Sequence, residues 1–238
     1  MSALLHSLLA RLAAGRPAVR ALIDDIRAKK LTYVSRHKMK RCAFALDLVR
    51  RTGIAGDIVE AGVALGGTAI LLAKLRPPGR RLVLYDVFGM IPPPGPQDEA
   101  DAHRRYEAIR SGQAAGIGGD AYYGYRDDLM DAVIANLRTY GIEPQRDAVE
   151  LVPGPFEQAM IVERPVAFAH IDCDWYNSVL TCIERILPRL STGGVMVFDD
   201  YSSYAGCRKA VDERLRSRGD IEVLFDEQSI GLRKRTAS

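Results

Sequence analysis

The sequence lacks three features that would each indicate a special class of protein. It has no uninterrupted apolar run of the ~20 residues that a membrane-spanning helix needs. Its 33 basic and 30 acidic side chains are spread along the chain, without a basic block of the kind that binds nucleic acid. The 4 cysteines show no CxxC spacing. We therefore expect no membrane or nucleic-acid partner, and free thiols in a reducing compartment.

Length and composition favour one α/β domain. The 238 residues, 47% of them hydrophobic and 26% charged, can bury a full core. We expect a single domain over residues 1–238, with an N-terminal helical cap over 1–52 and a lid-like insertion over 89–126. Residues 2–15 predict an amphipathic helix. Acidic residues are absent before Asp24, which leaves an organellar transit peptide open beside the favoured cytoplasmic location.

Strand and helix patterns alternate along most of the chain. A helix over 36–51, with Ser35 as its N-cap, leads into a strand over 57–62, a helix over 69–75 and a strand over 81–86. This order is the βαβ unit of a parallel sheet. The later patterns are a helix over 127–140, strands over 149–152 and 166–172, a helix over 178–187, a strand over 195–199, and a hairpin of strands over 221–225 and 229–233. The sequence predicts a doubly wound, mostly parallel sheet of seven strands with helices on both faces and an antiparallel edge.

The insertion over 89–126 interrupts this alternation. Four prolines fall within residues 92–96, and residues 112–125 are rich in glycine and tyrosine. A loop of this length in a compact domain is usually functional or disordered. Tyr106, Tyr122 and Tyr123 would offer flat faces to a ring-shaped ligand, so we expect the segment to act as a lid.

Glycines and acids at the ends of the first two strands indicate a cofactor site. The glycines follow Glu60 as GxxxGG, whereas a pyrophosphate-binding turn has GxGxxG. Glu60 could face the ammonium group of a cationic cofactor directly, or through backbone and water. Asp86 ends the second strand, where an acid can accept both ribose hydroxyls. The alternative is that these glycines only allow tight strand-to-helix packing.

Four aspartates end two later strands. Asp172 and Asp174 follow one apolar strand, and Asp199 and Asp200 follow the next. Neighbouring strands would bring the four carboxylates together, and like charges at short range require a counter-charge. Oxygen ligands select Mg²⁺ first, and Mn²⁺ or Ca²⁺ after it. The alternative is that these acids cap turns or face water. We expect His170 to be a core histidine bonded to backbone, and not a ligand.

Five segments together resemble the macrocin O-methyltransferase family. They are DIVEAGVALGGTAILLA, LYDVFGM, VELVPGPFE, HIDCDWYNSVLTCIERILPRLSTGGVMVFDDY and GCRKAVDE, and the match runs from about residue 31 to the C-terminus. The resemblance implies a class I methyltransferase with a Rossmann-like fold. It also implies S-adenosylmethionine as methyl donor, Mg²⁺, and a homodimer or higher homo-oligomer. Members of this family methylate sugar hydroxyls in antibiotic biosynthesis, which implies a small hydroxylated acceptor.

The resemblance also assigns roles to residues. Asp172, Asp199 and Asp200 correspond to metal ligands, and Asp174 to the base that takes the proton of the acceptor hydroxyl. The implied cofactor contacts are Val34, Ser35, Glu60, Ala61, Gly62, Thr68, Asp86, Phe88, Pro155, Phe156 and Asp172. After Gly89 this chain has Met90-Ile91 and a proline run where relatives tend to have an acidic residue and a Leu-Pro pair. We therefore expect an acceptor pocket of different shape.

Three other functions compete with this interpretation. A catechol or phenol O-methyltransferase would use the same cofactor and metal and differ only in its acceptor. A non-catalytic module that senses S-adenosylmethionine would have no use for the two pairs of aspartates. A nicotinamide oxidoreductase would need the glycine spacing and phosphate donors that are missing after Gly62.

Overall fold

The computed structural model describes residues 17–235 and contains a mixed sheet of seven strands. The strands are β1 Asp57–Ala61, β2 Leu82–Asp86, β3 Val149–Pro153, β4 Val166–Ile171, β5 Leu190–Phe198, β6 Ile221–Glu227 and β7 Ser229–Lys234. Their spatial order is β3-β2-β1-β4-β5-β7-β6. Strands β1 to β5 are parallel, and β7 pairs antiparallel with both β5 and β6. The predicted sheet with its antiparallel C-terminal hairpin is confirmed.

Helices cover both faces of this sheet. They are α1 Pro17–Ala28, α2 Arg36–Arg51, α3 Gly67–Leu75, α4 Ala100–Arg110, α5 Leu129–Thr139, the single turn α6 Phe156–Ala159, α7 Tyr176–Ile186 and α8 Ala205–Val211. Helices α1, α2, α3 and α5 pack on one face, and α6, α7 and α8 on the other. Because both faces are covered, the central strands are buried along their whole length. Within residues 17–235, no helix is long and apolar enough to cross a bilayer.

Helix α1 lies within the segment over 1–52 that was expected to be helical, whereas α4 was not predicted from the sequence. Helix α1 buries Val19, Ile23 and Ile26, whose spacing is helical. Helix α4 lies inside the insertion over 89–126, which was expected to be a loop, and it buries only Ala102 and Ile109. The helix expected over residues 2–15 falls outside the described residues.

The insertion is tied to the carboxyl edge of the sheet by polar contacts. Asp98 accepts a hydrogen bond from the backbone N–H of Tyr176 at 2.7 Å, at the start of α7. The indole of Trp175 donates to the carbonyl of Pro92 at 2.8 Å. These bonds tie the insertion to the segment that follows β4.

The ends of β1 and β4 approach each other closely at Gly62. A Cβ atom on Gly62, which has a φ of +86°, would lie 1.9 Å from the carbonyl oxygen of Asp172. A Cβ on Gly67 would lie 2.4 Å from the carbonyl oxygen of Leu31. Both glycines therefore serve close backbone packing, and this packing brings the loop after β1 beside Asp172.

Candidate active site

Three carboxylates converge where β4 and β5 end. One oxygen each of Asp172, Asp199 and Asp200 lies within 4.8 Å of the others. The strands pair in register up to Ile171 opposite Phe198, so the residues that follow are neighbours. Asp199 and Asp200 are only 4% and 6% exposed. Three oxygen ligands at this spacing suit a hard divalent cation.

A lysine supplies part of the counter-charge. The Nζ atom of Lys38 lies 2.8 Å from Oδ2 of Asp199 and 3.4 Å from Oγ of Ser203. Burial opposes the charged form of Lys38, but the carboxylates of Asp199, Asp200 and Asp172 outweigh it and raise the pKa of this lysine. The sequence did not reveal Lys38, because it stands among several basic residues of α2 and is 161 positions from Asp199.

The negative charges of Asp172 and Asp174 have less counter-charge nearby than that of Asp199. Burial, followed by the charges of Asp199 and Asp200, raises the pKa of Asp172 well above its ordinary value. Burial and then Asp200 do the same for the pKa of Asp174. Burial also opposes ionisation of Asp199, but His170 and Lys38 outweigh it and lower the pKa of Asp199. The cluster therefore contains more carboxyl groups than Lys38 and His170 can stabilise in the ionised form, so it suits an added cation.

Asp174 differs from the three converging acids in its backbone conformation. Its φ of +58° is in the left-handed region, which is uncommon for a residue with a side chain. Its N–H donates to Oδ2 of Asp200 at 3.2 Å. Strained residues of this kind concentrate at functional sites.

His170 contacts a carboxylate, which corrects the expectation of a backbone partner. Its Nδ1 lies 3.2 Å from Oε1 of Glu60, and both side chains are fully buried. Its Nε2 lies 3.8 Å from Oδ1 of Asp199, which is within ion-pair range but longer than a hydrogen bond. Burial disfavours the charged ring, but Asp199 and Glu60 outweigh it and raise the pKa of His170 to about 10.

Two adjacent clefts open at this edge of the sheet. The first has a volume of about 50 Å³, and its lining includes Gly62, Asp86, Gly89, Tyr123, Pro155, Phe156, Asp172 and Asp174. The second has a volume of about 440 Å³, and its lining includes Tyr33, Val34, Lys38, Gly62, Arg105, Tyr122, Tyr123, Asp172, Asp174, Asp199, Asp200 and Tyr204. The two share Gly62, Tyr123, Asp172 and Asp174.

A larger cleft of about 650 Å³ lies at the other edge of the sheet, around Asp57 and Arg81. Both residues stand at the amino ends of strands. Open α/β sheets bind their ligands at the carboxyl ends, where the two smaller clefts meet the aspartates.

Asp86 holds two loops in place. Its Oδ2 accepts the N–H groups of Val63 at 2.6 Å and Ala64 at 3.1 Å, and its Oδ1 accepts the N–H of Phe88 at 2.8 Å. The same carboxylate lines the first cleft. Asp86 therefore holds the glycine-containing loop after β1 in place, and it also lines the first cleft.

Some of the predicted cofactor residues do not line either cleft. Glu60 is fully buried below them, beside His170. Ala61, Thr68 and Phe88 are buried outside the two linings. Ser35 is the N-cap of α2, and its hydroxyl accepts the N–H of Lys38 at 3.2 Å.

The second cleft also contains residues that sequence reasoning missed. Arg105, Ser203 and Tyr204 line it together with Tyr122 and Tyr123. Arg105 lies on α4, the helix that was expected to be loop, and its guanidinium stacks over the ring of Tyr122 at 5.3 Å. Tyr106, which was expected to take part, is in neither lining.

A model of the family described as macrocin-O-methyltransferase (TylF) matches residues 6–226 of this sequence. The chain belongs to the macrocin O-methyltransferase family. A similar protein is 8-demethyl-8-(2,3-dimethoxy-alpha-L-rhamnosyl)-tetracenomycin-C 4'-O-methyltransferase of Streptomyces olivaceus. It is 31% identical over 207 residues, which cover 84% of this chain and 74% of the relative. Mycinamicin III 3''-O-methyltransferase of Micromonospora griseorubida is 27% identical over 220 residues, covering 85% and 78%.

Solved structures agree with this family assignment at the level of the fold. The O-methyltransferase NovP superposes with a TM-score of 0.71 at 21% identity, covering 98% of this chain and 99% of NovP. An O-methyltransferase from Bacillus cereus, solved with S-adenosylhomocysteine (SAH), has a TM-score of 0.54 at 16% identity, covering 91% and 90%. The fold is that of the class I methyltransferases. This member of the macrocin O-methyltransferase family is an enzyme that transfers a methyl group from S-adenosylmethionine to oxygen.

Proposed function

We propose that this enzyme methylates a hydroxyl on the sugar moiety of a natural product, with Mg²⁺ held by Asp172, Asp199 and Asp200. The observation that carries the proposal is the convergence of these carboxylates within 4.8 Å. Asp172 lies with Asp174 in the wall shared by the two clefts, and Asp199 and Asp200 line the second cleft. Mg²⁺ bound there would lower the pKa of the acceptor hydroxyl and fix its orientation.

The adenosine part of the methyl donor is proposed to bind at the first cleft, which must widen beyond its present volume of about 50 Å³ to hold it. Asp86 can accept hydrogen bonds from the ribose hydroxyls while it holds the loops, since each carboxylate oxygen has two lone pairs. Pro155 and Phe156 supply apolar surface for the adenine. The methionyl part would pass Gly62 towards Val34 in the second cleft.

Asp174 is the proposed base. The methyl group leaves the sulfonium with its bonding electron pair going to sulfur, and a new C–O bond forms to the acceptor oxygen. The proton of that hydroxyl passes to the carboxylate of Asp174. The pKa of this carboxyl, raised mainly by burial, makes it a better proton acceptor than an exposed aspartate. Holding both reactants in line supplies much of the acceleration.

The second cleft suits a ring-shaped acceptor. Tyr33, Tyr122 and Tyr204 present aromatic faces there, and Arg105 adds a polar group near the Tyr122 ring. A sugar is supported by the name of the Streptomyces olivaceus relative, which methylates a rhamnosyl tetracenomycin. The resemblance to the macrocin O-methyltransferase family, whose members methylate sugar hydroxyls in antibiotic biosynthesis, supports the same role for this enzyme.

A transfer assay with labelled methyl donor tests the proposal. The acceptors are rhamnosyl tetracenomycins, their aglycones and a simple catechol, each with EDTA and then with excess Mg²⁺. We expect label in the glycosides alone, abolished by EDTA and restored by Mg²⁺. Label in the catechol or the aglycones would contradict the sugar assignment, and transfer that survives EDTA would contradict the metal.

A further inference from the structure

A row of buried polar side chains crosses the sheet below the clefts. Glu60 on β1 is directly opposite His170 on β4, and His170 is opposite Val197 on β5. Asp199 follows Val197 by two residues. The row therefore joins Glu60, His170 and Asp199 on the face covered by α2.

Each polar side chain of this row contacts the next one through a different atom. Nδ1 of His170 lies 3.2 Å from Glu60, and the opposite ring nitrogen faces Oδ1 of Asp199 at 3.8 Å. The other oxygen of Asp199 is held by Lys38 at 2.8 Å. Lys38 therefore binds one oxygen of Asp199 by a hydrogen bond, and His170 lies at ion-pair distance from the other oxygen.

Neither Glu60 nor His170 can act on a ligand directly. Both are 0% exposed, and neither is among the lining residues of the two clefts. Oε2 of Glu60 and Nε2 of His170 have no hydrogen-bond partner within the described part of the chain. Unpaired buried polar atoms are costly, so a purely structural pair would favour apolar replacements.

We propose that His170 is a positioning residue for the metal site, fixing the carboxylate of Asp199, and that Glu60 fixes the His170 ring from behind. The inference rests on the proposed function, in which Asp199 is a metal ligand. Groups that orient a ligand in this way typically change metal affinity by about 10- to 100-fold when removed. Glu60 would then support the metal site and would not contact the methyl donor.

The test must separate two effects on metal affinity, which are the change in charge beside the site and the loss of side-chain positioning. Removing a cationic ring beside the site would by itself strengthen cation binding, and removing a carboxylate would weaken it. The double variant Glu60→Gln, His170→Gln leaves the net charge of the pair unchanged, whichever of the two holds the proton. A change in metal affinity in this variant therefore reports geometry.

The probe is Mn²⁺ alone, titrated into the full-length protein and followed by water-proton relaxation, with SAH affinity measured in parallel by calorimetry. Val197→Ala is the matched control, since Val197 is buried at the same level of the sheet and contacts neither acid through a polar group. We expect the double variant to bind Mn²⁺ at least about tenfold more weakly. SAH affinity should stay within about threefold of the parent, and the control should keep parental Mn²⁺ affinity.

Parental Mn²⁺ affinity in the double variant would overturn the proposal, as would an equal loss in Val197→Ala. A matching loss of SAH affinity would return Glu60 to the cofactor site. If the double variant does not fold, the charge-matched variant Glu60→Leu, His170→Leu replaces it, with the same expected loss and the same overturning result. A parent protein that binds no Mn²⁺ would instead refute the proposed metal function itself.

Discussion

Replacing Asp86 by alanine is expected to damage the fold and the cofactor site together. The carboxylate accepts three backbone N–H groups at 2.6, 3.1 and 2.8 Å. A hydrogen bond to a charged group contributes about 1.5–3 kcal/mol, and three that share one carboxylate do not add fully, so we expect a loss of about 3–5 kcal/mol. For a protein of this size that corresponds to a melting temperature lower by roughly 6–20 °C.

Scanning calorimetry measures the first effect and titration with SAH the second. Asp86→Asn keeps the shape and one acceptor oxygen, so it should fall between the parent and Asp86→Ala. Glu163→Gln, an exposed change in the loop before β4, is the control and should melt like the parent. A melting temperature of Asp86→Ala within about 2 °C of the parent would refute the loop-holding role. SAH affinity within a factor of about two would refute the ribose contact.

Three further outcomes follow from the acidic cluster. Asp174→Asn should keep Mn²⁺ and SAH affinity but lose roughly 10²- to 10⁴-fold in turnover, a loss that excess Mg²⁺ does not restore. The pKa of Asp174 is raised in the folded state, so the parent protein loses stability as the pH rises above the unfolded value of about 3.9. Asp174→Asn does not titrate, so its stability relative to the parent should increase as the pH rises from there. Urea unfolding at several pH values measures this difference, and a difference that stays constant with pH would contradict the prediction. Lys38→Met removes the counter-charge of Asp199, so the melting temperature should fall more without Mg²⁺ than with it, and an equal fall in both conditions would rule out that role.

The sheet and the positions of the clustered aspartates could be predicted from the sequence because both depend on local pattern. Apolar runs that end in Asp172 or Asp199 indicate buried strands with polar ends, and parallel strands end at the same edge. The convergence of Asp172, Asp199 and Asp200 follows once β4 and β5 are neighbours. The α2 boundaries could also be predicted, since Ser35 provides a clear N-cap.

The contacts between these acids and distant side chains could not be predicted. The pairing of Glu60 with His170 depends on the register between β1 and β4, which no local pattern specifies. Lys38 looks like any basic residue on a helix until α2 is packed against the end of β5. Helix α4 was missed because the surrounding proline and glycine residues dominate the local pattern.

Titrating Mn²⁺ into the parent protein and into the double variant Asp199→Asn, Asp200→Asn tests the central claim most directly, because it needs no methyl acceptor. Water-proton relaxation should report saturable binding in the parent that excess Mg²⁺ displaces. The double variant should lose this binding, while its SAH affinity stays close to that of the parent. Indistinguishable Mn²⁺ affinity in the two proteins would mean that Asp199 and Asp200 hold no metal, and it would contradict metal-assisted methyl transfer at this site.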